Sequence, residues 1–83
     1  MEVLMVGTHH CSKCKRMAPI VEDYCSSNCI AFSYKEIDDV SGDVLDIIKS
    51  RRINSAPLLI IYRDDGNTSV LYGDTIMMEL ENI

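Results

Sequence analysis

Two cysteines three residues apart, Cys11 and Cys14, are the side chains in this sequence best suited to chemistry. A thiolate is the attacking species in disulfide exchange, and a second thiol within reach can release the product. If a helix starts at this pair, Cys11 stands at its N-terminus. Free backbone N–H groups and the positive end of the helix dipole stabilise a thiolate there. Cys14 then follows one turn later, about 4.5 Å along the axis. That spacing predicts Cys11 as nucleophile and Cys14 as resolving thiol. The surrounding charge agrees: no acid lies between Val3 and Val21, whereas Lys13, Lys15 and Arg16 do. All thirteen acids lie elsewhere, so the pair occupies a basic island in a chain of net charge −5.

A Cys-x-x-Cys is also half of a zinc site, and Cys25-x3-Cys29 offers a second half. Helix geometry opposes a four-cysteine site. On one helix Cys14 and Cys25 lie about 16 Å apart along the axis, whereas a zinc ion holds each sulfur at about 2.3 Å. The expectation is therefore no metal, a buried Cys25, and free thiols at Cys25 and Cys29.

The elements that must position the pair are legible from periodicity. Glu2–Gly7 is a continuous apolar run ending in a breaker and reads as a buried strand. From Ser12 to about Ser26, Cys14, Met17 or Ala18, Val21 and Cys25 recur at helical steps. Pro19 falls inside that helix, where it removes a hydrogen bond and kinks the axis. Residues 30–37 read as a second strand. Asp43 is expected to cap a helix running to about Arg52. Pro57–Tyr62 is the strongest strand pattern, followed by a hairpin turn at Asp64-Asp65-Gly66-Asn67 and a partner strand to Tyr72. A short closing helix over 75–81 has Asp74 as its expected N-cap. The order is β-α-β-α-β-β-α, with a right-handed parallel βαβ unit first.

Eighty-three residues with 47% apolar content make one globular domain, 1–83, with a small core of Leu, Ile, Val and Met. The acidic balance is a poor match to nucleic acid. No apolar run is long enough to span a bilayer, and the N-terminal run reads as a strand and not as a secretory leader. The expectation is a monomer in the cytoplasm, where structural disulfides are uncommon.

Beyond the dithiol, Cys14-Lys15-Arg16-Met17-Ala18-Pro19-Ile20 resembles the Cys-Lys-x-x-Ala-Pro-Ile that follows the second cysteine in thioredoxins. Glu36-Ile37-Asp38, Ile53-Asn54-Ser55-Ala56-Pro57-Leu58-Leu59, Asp65-Gly66 and Gly73 also resemble that family at matching places. The chain lacks the extra N-terminal strand and helix of full thioredoxins, and in this it is similar to a glutaredoxin or a minimal thioredoxin. The resemblance implies a thioredoxin fold: a four-stranded mixed sheet, order 2-1-3-4, flanked by three helices. It also implies a cis Pro57 facing the Cys11 sulfur, with the Ala56 backbone open for strand-like pairing with a substrate. Activity is then reduction or exchange of protein disulfides, with no tightly bound cofactor. A thioredoxin-reductase-like enzyme or glutathione would supply electrons.

Several residues depart from the family pattern. Met5 stands where thioredoxins carry a buried Asp, and Tyr34 stands in place of its Lys partner. Losing both charges together is physically consistent, but it leaves the proton on Cys14 without its usual acceptor, so that water or a histidine would have to serve. His10 replaces the usual Trp before the nucleophile and is a candidate, with Lys13, for tuning the thiolate. Ser12-Lys13 is neither the Gly-Pro of thioredoxins nor the Pro-Tyr of glutaredoxins. A single Gly73 followed by Asp74 stands where glutaredoxins hold glutathione. Asp74 would either cap the last helix or meet the ammonium of a glutathione γ-glutamyl group. A non-catalytic metal-binding or interaction module is the alternative from another class.

Overall fold

The computed structural model describes all residues, Met1–Ile83. Four strands, β1 (Glu2–Gly7), β2 (Ala31–Glu36), β3 (Leu58–Tyr62) and β4 (Thr68–Tyr72), form one sheet in the order β2-β1-β3-β4. β1 pairs in parallel with β2 and antiparallel with β3, and β3 pairs antiparallel with β4. Three helices complete the chain: α1 (Ser12–Ser27), α2 (Gly42–Ser50) and α3 (Thr75–Glu79). The expected order, sheet and helix count are all present.

Side-chain alternation along the strands divides the core between two faces. Val3 and Met5 of β1 and Leu59 and Ile61 of β3 pack with Met17, Val21 and Cys25 of α1 and Ile76 of α3. Val6, Leu58 and Ile60 point the other way and pack with Val44 of α2. β3 is therefore buried on both faces, which is why its sequence is an unbroken apolar run. Phe32 and Tyr34 of the edge strand β2 are half-buried against the α1 face, while Ala31, Ser33 and Lys35 are exposed.

Several boundaries differ from expectation. α2 is capped by Ser41, whose Oγ accepts from the Val44 N–H at 3.4 Å, and not by Asp43. Asp43 lies inside the first turn, where its charge suits the helix dipole. α2 stops at Ser50 and α1 continues to Ser27. Both helices end in the same way. The Ile30 N–H donates to Cys25 O (2.8 Å) with Cys29 at φ 56°, and the Ile53 N–H donates to Ile48 O (3.1 Å) with Arg52 at φ 53°. These are left-handed C-terminal stops of the kind usually made by glycine. Ile37 leaves β2 and joins a 3-10 turn, Ile37–Asp39, and α3 ends at Glu79 before a second such turn, Leu80–Asn82. α1 runs through Pro19 as one helix.

Candidate active site

The site is built where β1 runs into α1. The chain turns after Gly7, with the Cys11 N–H donating to Thr8 O at 3.4 Å and His10 in a left-handed conformation (φ 65°). Cys11 then takes extended dihedrals at the N-cap of α1, and its Sγ accepts the Cys14 N–H at 3.1 Å. The sulfur thus stands where a Ser or Asp oxygen would cap a helix. Cys11 and Cys14 are joined by a disulfide, with their Cα atoms 5.3 Å apart. The two sulfurs are not equivalent. Cys14 is fully buried, whereas Cys11 is half-exposed at the surface of the loop.

The Ala56–Pro57 peptide bond is cis, as the resemblance implied. Pairing of Val6 with Leu58 sets Pro57 at the end of the sheet from which β1 enters the cysteine loop. The Gly73 N–H, with Gly73 at φ 59°, donates to Pro57 O at 2.9 Å, tying the β4–α3 turn to the cis-proline turn. From the other side, Lys13 Nζ donates to Asp74 Oδ1 at 2.9 Å. These contacts join Lys13 to Asp74 and Gly73 to Pro57. The start of α1, the β4–α3 turn and the cis-proline turn are thereby gathered at one end of the sheet.

That ion pair corrects the expected role of Asp74. Asp74 occupies the position before α3 but makes no side-chain capping hydrogen bond. Its dihedrals are helical and not extended, so its carboxylate is not directed at the N–H groups of the next turn. The carboxylate meets Lys13 instead. Lys13 thus has an ion-pair partner, at the exposed rim of the site. His9 lies 3.4 Å from Asp38. His10 is exposed and makes no hydrogen bond to Cys11.

Two cavities share Thr8 of the cysteine loop in their walls. One, about 240 Å³, lies beside Ala56 and is lined by Val6, Ile37, Ile48, Ile53 and Leu58. The other, about 780 Å³, opens beneath the cysteine loop between α1 and β2, and His10, Lys15, Glu22, Tyr34 and Glu36 contribute to its walls. Nothing in the chain's pattern announced two features of this second cavity. Glu36 Oε2 is buried there with no hydrogen-bond partner. The Tyr34 phenol is pushed above its ordinary range, first by burial and second by the Glu36 carboxylate.

Cys25 and Cys29 are free and Cys25 is buried, as expected; Cys29 is exposed. They stand at the far end of α1 from the dithiol, so the four sulfurs do not converge. Burial pushes the Cys25 thiol up.

No family model and no curated sequence matches the chain. Solved structures do. Thioredoxin 1 of Thermosipho africanus aligns at TM-score 0.73 and 16% identity, over 99% of this chain and 88% of that one. The oxidised thioredoxin O1 of Arabidopsis thaliana aligns at TM-score 0.68 and 20% identity, over 98% and 71%. Plasmodium falciparum thioredoxin aligns at TM-score 0.66 and 21% identity, over 98% and 78%. With its sheet order, its cis-proline turn and a Cys-x-x-Cys disulfide at the start of the first helix, this chain carries the thioredoxin fold.

Proposed function

We propose that the protein is a thiol–disulfide oxidoreductase that reduces or exchanges disulfides in partner proteins. The observation that carries this reading is the asymmetry of the dithiol: one partly exposed cysteine whose sulfur caps a helix, bonded to one fully buried cysteine a turn later. In the reduced protein the Cys11 thiolate attacks a substrate disulfide, and one substrate sulfur leaves as a thiolate that takes a proton from water. Cys14 then attacks Cys11 Sγ. The Cys11–Cys14 bond forms, the mixed disulfide breaks, and the second substrate thiol departs. The substrate gains two electrons and the protein loses two.

The turn around Ala56 supports a protein or peptide substrate. A segment laid beside it could pair with the backbone as an added strand and send an apolar side chain into the cavity lined by Ile37, Ile48 and Ile53. Gly73 and Asp74 complete the far rim. Asp74 is already paired with Lys13, so the ammonium of a glutathione γ-glutamyl group would compete with Lys13 for it. That contact favours the protein-disulfide reading over a dedicated glutathione site. Glutathione remains the second candidate for electron donor, beside a flavoprotein reductase. We further propose a monomer working in a reducing compartment such as the cytoplasm, where an exposed thiol such as Cys29 stays reduced.

Reduction of insulin disulfides with dithiothreitol as donor tests the reading. Native protein is expected to accelerate reduction, and Cys11→Ser to abolish the acceleration. Acceleration supported by glutathione alone would move the assignment to the glutaredoxin type. No acceleration by native protein would leave a binding module.

A further inference from the structure

The reaction above needs a buried thiol, Cys14, to lose its proton before it can attack, and the cavity beneath the cysteine loop supplies groups for that step. β1 and β2 pair in register, with Met5 opposite Tyr34 and Gly7 opposite Glu36. A methyl group placed on Gly7 would run into the Tyr34 hydroxyl, with Tyr34 Cζ 2.8 Å away and Cys14 Cβ 3.3 Å away. The bare Cα of Gly7 is thus where the phenol of β2 and the resolving cysteine of α1 come together. Two residues further along the same face of β2, Glu36 holds a carboxylate oxygen that is buried and has no partner. A buried acceptor with no donor is costly in a finished structure. In the disulfide form this oxygen bonds neither to the Tyr34 hydroxyl nor to any other group, so a relay through it requires the Glu36 carboxylate and the Tyr34 hydroxyl to close to hydrogen-bond distance during the cycle.

We infer that Tyr34 and Glu36 form the proton relay of the resolving cysteine. When Cys14 attacks the mixed disulfide, its S–H proton passes to the Tyr34 oxygen as the Tyr34 hydroxyl proton passes to Glu36. The electron pair left on Cys14 Sγ forms the Cys11–Cys14 bond, and the departing substrate thiolate carries away the pair from the bond that breaks. Glu36 then releases its proton through the cavity. When the disulfide is reduced again, the same path runs backwards and protonates Cys14. This rests on the oxidoreductase reading and assigns two of its residues. Tyr34 is the acid–base group beside Cys14, and Glu36 acts through it. The groups that face Tyr34 across the cavity are His9 and His10 from the cysteine loop, Lys15 and Glu22 from α1, and Glu36 from its own strand. Burial and the Glu36 charge both keep the phenol protonated near neutral pH, so it enters the cycle able to donate.

The two chemical steps separate in the reaction of reduced protein with an aromatic disulfide whose thiolate absorbs light. Attack by Cys11 releases one chromophore, and attack by Cys14 releases the second. Tyr34→Phe and Glu36→Gln are expected to leave the first phase unchanged and to slow the second by at least tenfold near neutral pH, toward the roughly hundredfold typical of general acid–base catalysis. The double variant is expected to be no slower than the slower single variant, and all differences to fade at alkaline pH, where hydroxide can take the thiol proton. A second phase that matches native protein in both variants overturns the relay. So does a slowing that is the same at every pH, which would mean disturbed packing. Slowing in His10→Gln but in neither of the others would transfer the role to the histidine. Loss of the first phase in native protein would instead overturn the oxidoreductase reading.

Discussion

The Cys14 N–H donates to Cys11 Sγ over 3.1 Å, so the sulfur proposed to attack substrate is also the N-cap of α1. One atom serves stability and reactivity, and substitution can separate the two. Serine is a favoured cap and alanine is not. In the reduced proteins, Cys11→Ser is expected to unfold in urea with a stability about 1 kcal/mol above that of Cys11→Ala. Both variants are expected to be inactive in disulfide reduction.

The close approach at Gly7 makes a second prediction. Gly7→Ala forces a methyl group against Tyr34 and Cys14, and is expected to cost about 1–3 kcal/mol as an overpacked core position. Tyr34→Phe removes the atom in closest conflict. Combined with Gly7→Ala it should restore part of the loss, so that urea denaturation of the pair shows a non-additive cycle.

Cys29 adopts a left-handed backbone at the end of α1, where a side chain is strained. Cys29→Gly is expected to raise stability by about 0.5–1 kcal/mol, the relief being partly offset by the greater freedom of glycine in the unfolded chain. Thermal unfolding of the oxidised protein measures it.

Burial holds the Cys25 proton more tightly in the folded state than in the unfolded one. The folded protein therefore binds more protons than the unfolded chain as the thiol begins to ionise. The stability that Cys25 contributes is fully present below its ordinary value of 9.0 and is lost as pH rises above it. Tyr34 and Tyr62 are displaced in the same direction but start from 10.0, so their losses come later. In urea titrations of oxidised protein, the stability gap between native and Cys25→Ala is expected to narrow as pH rises from about 8 to about 10.

Much of the fold was legible because the elements carry unambiguous periods. The double-sided burial of Leu58–Ile61 was visible as an apolar run, and Cys14, Met17, Val21 and Cys25 marked the inner face of α1. Helix ends were less legible, because the residues that turn the chain at Cys29 and Arg52 are not glycines and send no stop signal. Asp43 reads as the cap of α2, but the chain enters the helix two residues earlier and Ser41 takes that place. At the site, the dithiol was readable from spacing and the cis-proline from family resemblance. The Lys13–Asp74 pair spans 61 positions, and both residues look like ordinary surface charges. The convergence of Gly7, Tyr34, Glu36 and Cys14 likewise depends on strand register across β1 and β2. Nothing local in the sequence distinguishes Glu36 from the other acids.

The most direct test of the central claim is to trap the covalent intermediate. Cys14→Ser, reduced and mixed with a disulfide-bonded protein, is expected to accumulate a stable mixed disulfide through Cys11. Mass spectrometry would locate that bond, and Cys11→Ser would be expected to form none. Adducts found equally through Cys14 in Cys11→Ser, or no adduct with either variant, would contradict the account.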